Sequence, residues 1–391
     1  MDQKNIVQMH SVILKMDAVS NVMRTLDTIH REQGWGSSLI ADLFSEYKDT
    51  QSLASADYDT TPTLARLSYL ASRFIRLDNK LRWIRKYMEA RHRYVPNTAR
   101  NLIEGADMRI WHFGAFYKLF QYFHEGDTLF YHGITYPYLS YYPEFALHSK
   151  NMLQAILDMK PFVIVSSRFI RQSLKDLGFK SQSIHILPLF QNHPHPYAER
   201  TPSEPSLIAW GRYALNKAIP ELVATANDHR LRLRVFGDNN QLGEFSDQYK
   251  KSALADTKGY ATMSGKVPDF EAELNQANIY VNNSRHEGFS VPVIEAEAHS
   301  LPVLARRGTA MDELVKDGCN GYLFTDTEEI PELACKILDD YKSFSHHAWA
   351  HAQNFTYEKF RERYLKIIYK LGSPRRSRVG DSTKPTPAQS I

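Results

Sequence analysis

The sequence predicts an α/β protein built from two doubly wound domains joined by a proline-marked hinge. Three observations carry this reading. Residues 280–284 (YVNNS) form a short apolar run, Ser290 and Pro292 suit the start of a helix, and residues 301–305 (LPVLA) form the next run. This is the strand, turn, helix, strand unit of a parallel sheet. The same alternation opens the chain, with a strand over 5–13, a helical stripe of Val19, Val22, Met23, Leu26 and Ile29, and a second strand over 38–41. Between the two regions, residues 190–206 hold prolines at 194, 196, 202 and 205, the composition of a hinge. At 391 residues the chain is long for a single core, since a domain takes roughly 150 residues.

Taken in order, the first strand and helix are separated by residues 10–17, which contain no glycine. Asp17 stands at the helix start, where it serves either as a cap or as a ligand for acceptor hydroxyls. Residues 73–100 carry nine Lys and Arg against Asp78 and Glu89, a local net of +7 in a chain whose whole net charge is +4. Phe74, Leu77, Leu81, Ile84 and Met88 recur there at spacings of three and four, which predicts a basic amphipathic helix. Two readings fit it: adsorption to an anionic membrane surface, or packing on its own domain with the charges solvated or lining a cleft.

Residues 126–135 read as a buried strand ending at His132, and a side chain at the carboxyl end of such a strand faces the ligand crevice. His132 is therefore a site candidate, the alternative being an ordinary loop histidine. Residues 162–167 are a further strand, 168–177 a helix stopped by Gly178, and 183–189 another strand. Beyond the hinge, 206–210 opens the second sheet, helices follow over 331–341, 344–354 and 357–371, and 372–391 is a disordered tail.

Composition sets limits. The small net charge excludes a general nucleic-acid binder, and only Cys319 and Cys335 are present, which argues for a reducing compartment and against a disulfide framework or cysteine metal site. With no apolar run long enough for a membrane span, the chain is expected in the cytoplasm, free or peripheral on the inner face of the membrane.

The densest chemistry lies at 285–295 (RHEGFSVPVIE). Gly288 permits close approach of a ligand, and the first N–H groups of the following helix, over 288–291, lack helical partners and point at an anion. Glu287 sits beside that anion, and Glu295, about one turn into the helix, can accept from vicinal hydroxyls. A diphosphate joined to a sugar fits this surface.

With these pieces in place, residues 211–324 resemble the nucleotide-sugar half of retaining glycosyltransferases with the GT-B fold, in the family carrying two glutamates separated by seven residues. The ordered matches are WGRYALNK at 210–217, RVFGD at 234–238, SGKVP at 264–268, the glutamate motif, GTAMDELV at 308–315 and DGCNGYLF at 317–324. The resemblance implies two Rossmann-like domains facing a central cleft, an acceptor domain over 1–195, a donor domain over 206–356, and a final helix, 357–371, returning to the first domain. It places Arg212 and Lys217 on the diphosphate and the backbone of Val267 against the base. It gives Glu295 the ribose, Glu287 a hydroxyl of the transferred sugar, and Gly288, Phe289, Ser290 and Val291 the phosphates or that sugar. His132 matches a histidine that contacts the sugar in several relatives.

No cofactor and no metal is expected, since two fixed cations take the metal's task. Asp57-Tyr58-Asp59 is similar to the metal motif of a different glycosyltransferase fold but lacks the apolar strand before it. The whole chain is closest in look to bacterial mannosyl- and related transferases of surface-polysaccharide assembly, so the partners are a nucleotide sugar, GDP-mannose first, and a glycan or lipid-linked glycan. A dehydrogenase is disfavoured because no Gly-x-Gly-x-x-Gly turn follows a strand. The reading outside enzymes is a silent scaffold of the same fold that binds glycan or membrane.

Overall fold

A computed structural model describes residues 4–13, 18–45, 97–112, 122–133, 153–179, 184–191, 195–211, 213–237, 259–265, 267 and 270–371. The basic stretch 73–96, the Asp57-Tyr58-Asp59 triplet, Asp17, Arg212 and the tail lie outside the described residues.

The first sheet is built from β1 (Asn5–Ile13), β2 (Gly36–Ser45), β3 (Met108–His112), β4 (Thr128–Tyr131), β5 (Phe162–Val165) and β6 (Ile184–Ile186). Its order is β2-β1-β3-β4-β5-β6, every pair parallel. With it come helices α1 (Ala18–Glu32), α2 (Asn97–Glu104) and α3 (Arg168–Asp176). The second sheet comprises β7 (Ser206–Trp210), β8 (Arg232–Phe236), β9 (Ala261–Ser264), β10 (Ile279–Asn282), β11 (Val303–Arg306) and β12 (Gly321–Phe324). Its order is β12-β11-β10-β7-β8-β9, again all parallel. Its helices are α4 (Ile219–Asp228), α5 (Phe270–Asn275), α6 (Val291–Ala298), α7 (Met311–Leu314), α8 (Ile330–Asp339) and α9 (Tyr341–Ala352), followed by α10 (Tyr357–Lys370).

Alternation along each strand feeds two cores per sheet, as it must when both faces are covered by helices. In the first, Val7, Met9, Trp111, Leu129 and Val163 enter one cluster while Ile6, Ile110, Phe130 and Ile164 enter the other. In the second, Leu207, Leu233, Val235 and Val281 face one side and Ile208, Phe236, Tyr280 and Val303 the other. Although α10 follows the second sheet in sequence, its buried Phe360, Tyr364, Leu365 and Ile368 join the cluster containing Ile6, Leu26 and Ile29. Each such side chain contributes roughly 1.5–3 kcal/mol. The Tyr364 hydroxyl lies 2.6 Å from His30 Nε2, and Arg361 pairs with Glu32 at 2.8 Å. The final helix therefore clamps the first sheet from outside its own stretch of chain.

Several boundaries differ from the sequence reading for physical reasons. The strand expected over 183–189 is confined to Ile184–Ile186, and beyond it the chain turns toward the hinge, where Gln191 donates to the Phe355 carbonyl at 2.9 Å. The helix expected from 344 starts at Tyr341, with Asp340 alone separating it from the end of α8 at Asp339. The central strand β3 escapes pattern reading because its outer residues, Met108 and Arg109, are only half-buried and its inner three are wholly covered.

In both sheets the chain leaves a central strand in opposite directions, to β2 or β3 from β1 and to β8 or β10 from β7. Ligands of doubly wound sheets bind at the carboxyl ends beside such a switch point.

The two halves meet there. Gly133, just past β4 with φ of 82°, lies so close to Gly288 that a Cβ on it would stand 3.3 Å from the Gly288 Cα and 2.5 Å from Ile170 Cδ1. A Cβ on Gly288 would stand 2.8 Å from Ile170 Cδ1 and 3.3 Å from the His132 carbonyl oxygen. Beside this contact, the Glu313 carboxylate of α7 accepts from the first two N–H groups of α3, Arg168 at 2.9 Å and Phe169 at 2.5 Å. A carboxylate is favoured at a helix N-terminus by the unpaired N–H groups and their dipoles.

Candidate active site

Lys217 and Glu287 stand seventy residues apart in sequence and touch: Lys217 Nζ is 2.5 Å from Glu287 Oε2. Lys217 ends the 3₁₀ turn Leu215–Lys217 that leaves β7. The exit of β10 carries Glu287. Two hydrogen bonds splice these loops: Asn216 Nδ2 donates to the His286 carbonyl at 3.2 Å, and Arg285 N donates to the Asn216 carbonyl at 2.7 Å. A third, from Asn283 Nδ2 to the Ala218 carbonyl at 2.8 Å, holds the next residue in a left-handed conformation, φ 47°. Ala310 N then pins the Glu287 carbonyl at 3.1 Å. The ion pair is thus set in backbone that is bonded on every side, with side chains 20% and 15% exposed, enough to reach a ligand without being bathed in water.

Directly after it, α6 begins. Ser290 occupies the cap position and Pro292 the first turn, as the sequence suggests, but the Ser290 hydroxyl does not cap. It accepts instead from Asn282 Nδ2 at 3.0 Å, so the turn is tied back to β10. This corrects the expectation that Ser290 closes its own helix, and the opening amides receive no bond from that hydroxyl. Gly288, Phe289 and Val291 follow the same turn; Phe289 packs with the second core, edge-on to Phe355 at 5.9 Å between centroids. Glu295 lies one turn in, and both Glu287 and Glu295 push the hydroxyl of fully buried Tyr280 upward, after the larger effect of burial. One ring thus feels both carboxylates of the motif. Val267 lies beyond β9, half-buried against the same core. Arg212 and Asp17 are outside the described residues.

His132 lies at the carboxyl end of β4, and its carbonyl borders Gly288 across the cleft. Its ring belongs to a relay that sequence reading missed. His132 Nε2 lies 2.9 Å from His112 Nδ1, His112 Nε2 lies 3.0 Å from Gln8 Oε1, and Gln8 Nε2 donates to the Met23 carbonyl at 3.0 Å. His10 Nδ1 donates to the His112 carbonyl at 2.9 Å. Burial, with His132, His10 and His30 nearby, holds His112 well below the usual histidine range; burial and His10 push His132 down to about 3. His132 as a whole residue is half-buried at the cleft. Both rings are neutral near pH 7, and one proton arrangement satisfies the chain. Gln8 presents its oxygen, His112 carries its proton on Nε2, and His132 donates from Nε2, leaving the lone pair on Nδ1.

Histidines 10, 112 and 132 are scattered along the sequence, and only the pairing of their strands brings them together. Imidazole ¹⁵N spectra are expected to show both rings as neutral Nε2–H tautomers with no titration between about pH 5 and 8. Gln8→Glu should reverse the His132 tautomer by drawing a second proton onto His112; an unchanged His132 spectrum in that variant would refute the relay.

A second buried polar group, Glu297, lies on the other side of α6. It is 2.5 Å from Asn320 Nδ2 and 2.7 Å from His351 Nδ1, and burial raises its pKa. Its partners belong to the domain's own packing, which marks it as structural.

Two parallel doubly wound sheets meeting at their carboxyl ends define the GT-B architecture. Residues 206–340 match the family model described as glycosyl transferases group 1. A probable sucrose-phosphate synthase of Thermosipho melanesiensis is 30% identical over 102 residues, which are 26% of this chain and 24% of that protein, so the match spans about a quarter of the curated relative. Among solved structures, the sucrose-phosphate synthase of Thermosynechococcus elongatus is similar with a TM-score of 0.65 at 17% identity, covering 94% of this chain and 99% of that one. HepE of Anabaena, in complex with UDP-glucose, gives 0.63 at 13% identity over 94% and 100%. These structural likenesses show the fold. Among the described residues, no helix is long and apolar enough to cross a membrane.

Proposed function

We propose that the protein is a retaining, metal-independent hexosyltransferase, moving a sugar from a nucleoside diphosphate to a hydroxyl of a glycan or lipid-linked glycan in bacterial surface-polysaccharide synthesis. The observation that carries this is the Lys217–Glu287 pair, 2.5 Å apart at the switch point of the second sheet and beside the opening of α6. Lysine has three N–H donors, and one is used by Glu287. The others serve the diphosphate, alongside Arg212. As the bond from the sugar's anomeric carbon to the phosphate oxygen breaks, negative charge grows on that oxygen, and a fixed cation stabilises it more than it stabilises the bound donor. The acceptor oxygen bonds to the same face of the carbon, and its proton passes to the departing phosphate. Glu287 and His132 orient the transferred sugar, the latter through the lone pair on Nδ1, and Glu295 holds the ribose.

A panel of GDP-mannose, UDP-glucose and ADP- and dTDP-sugars tests the reading. Slow hydrolysis of one donor, lost in Glu287→Ala, supports it; no turnover of any donor together with tight glycan binding supports the silent scaffold instead. A lipid-borne acceptor would be met by the basic stretch 73–100 at an anionic surface. Sedimentation with anionic vesicles should fall when Arg82, Arg85 and Lys86 become Ser, and unchanged binding would remove the membrane from this account.

A further inference from the structure

At the opposite end of α6 from the ion pair, three potential ligands converge. His195 comes from the hinge, Glu271 from the first turn of α5, and His299 caps α6; one ligand atom from each lies within 4.8 Å of the others. The two imidazole rings are 3.8 Å apart between centroids at 36°, and His195 Nδ1 is 3.9 Å from Glu271 Oε1, too far for a hydrogen bond. Around a zinc ion, with bonds of about 2.0–2.2 Å, neighbouring ligand atoms stand roughly 3.3 Å apart. The three atoms stand somewhat wider than such a shell, and side-chain rotation has to draw them together. The residue that must move most easily is Glu271, and its side chain is 65% exposed.

The backbones behind the imidazoles are already fixed. The His195 carbonyl accepts from Trp349 Nε1 at 2.8 Å, and the His299 carbonyl accepts from Arg200 at 3.3 Å. Between them, Ala198 N donates to Ser300 Oγ at 3.0 Å, fastening the hinge to the end of α6. Ligands placed on restrained backbone from separate elements are what a structural metal site requires.

We propose that His195, Glu271 and His299 bind a late first-row divalent cation, with zinc as the probe, and that the ion fastens the hinge to the second domain. Two imidazoles and one carboxylate suit zinc and its neighbours, whereas magnesium and calcium favour all-oxygen shells. Three ligands leave a position for water or a further group. The length of α6, eight residues or about 12 Å, separates this site from the helix end beside Glu287, so the ion has no part in the sugar chemistry proposed above.

The test uses the full chain, stripped with a chelator and dialysed against Zn²⁺. The wild type is expected to hold one more equivalent than His195→Ala or His299→Ala, and Glu271→Gln to bind at least tenfold more weakly. Zn²⁺ should raise Tm by a few degrees in the wild type and leave the two histidine variants unmoved, with Mg²⁺ giving no shift. The exposed neighbours serve as controls, and His346→Ala with His347→Ala should keep the effect. Equal stoichiometry and equal Tm shifts in the wild type and both histidine variants would overturn the proposal, as would a wild type indifferent to Zn²⁺.

Discussion

Lys217→Ala is expected to lower kcat for donor turnover by about 10²–10³-fold, the usual loss when one fixed donor to a developing anion is removed. The reason lies in placement. Lys217 is held by a short turn spliced through Asn216 to the very loop that carries Glu287, so its charge is in position before the reaction needs it. A mobile cation would have to be ordered during the reaction, and the variant Lys217→Arg, which keeps charge but not shape, should recover only part of the rate. Glu287→Ala should cost a similar factor. The double variant should lose far less than the product of the two, because each single change leaves the other charge without its partner. Kinetics of the four proteins on one donor measure this; strictly additive losses would show that the pair does not act as a unit.

The second large effect is expected at Gly288. A valine there pushes carbon into Ile170, the His132 carbonyl and Gly133, and two of these three neighbours are backbone that cannot rotate away. The halves must separate, and a displacement of about 1 Å between reacting groups costs on the order of 10²-fold in rate. Thermal unfolding should change less than activity, since Ile170 is the one core side chain that the intrusion strikes. Gly288→Ala is a graded version whose closest collision, 2.8 Å, is with the flexible end of Ile170. Adding Ile170→Val removes that methyl and should restore activity lost in Gly288→Ala. Failure of that rescue would mean that the backbone contact alone sets the spacing of the cleft.

How much of this was legible in the sequence depends on how local each feature is. The strands 5–13 and 162–165 and helix α3 follow from patterns within a few residues, and the structure places them within a residue or two of the reading. The family resemblance put Lys217 and Glu287 on neighbouring parts of one donor, while their direct contact came only with the fold, which gathers the two loops at the end of the sheet. The Gln8–His112–His132 relay was out of reach: its members are 104 and 20 residues apart, and only the pairing of β1 with β3 and of β3 with β4 aligns them. Ser290 shows the converse failure. Its residue type and position were right for a cap, but buried Asn282, eight residues earlier at the end of β10, competes for the same hydroxyl.

The seat of Glu313 on the first turn of α3 bears on how the two lobes hold together. That bond crosses between lobes, so attraction between an ion and aligned peptide dipoles adds to the apolar contact that Phe169 and Ile170 make at the same place. Such a fastening weakens as dissolved ions crowd around it. The seating of one lobe against the other should therefore respond to ionic strength more than the fold of either lobe does.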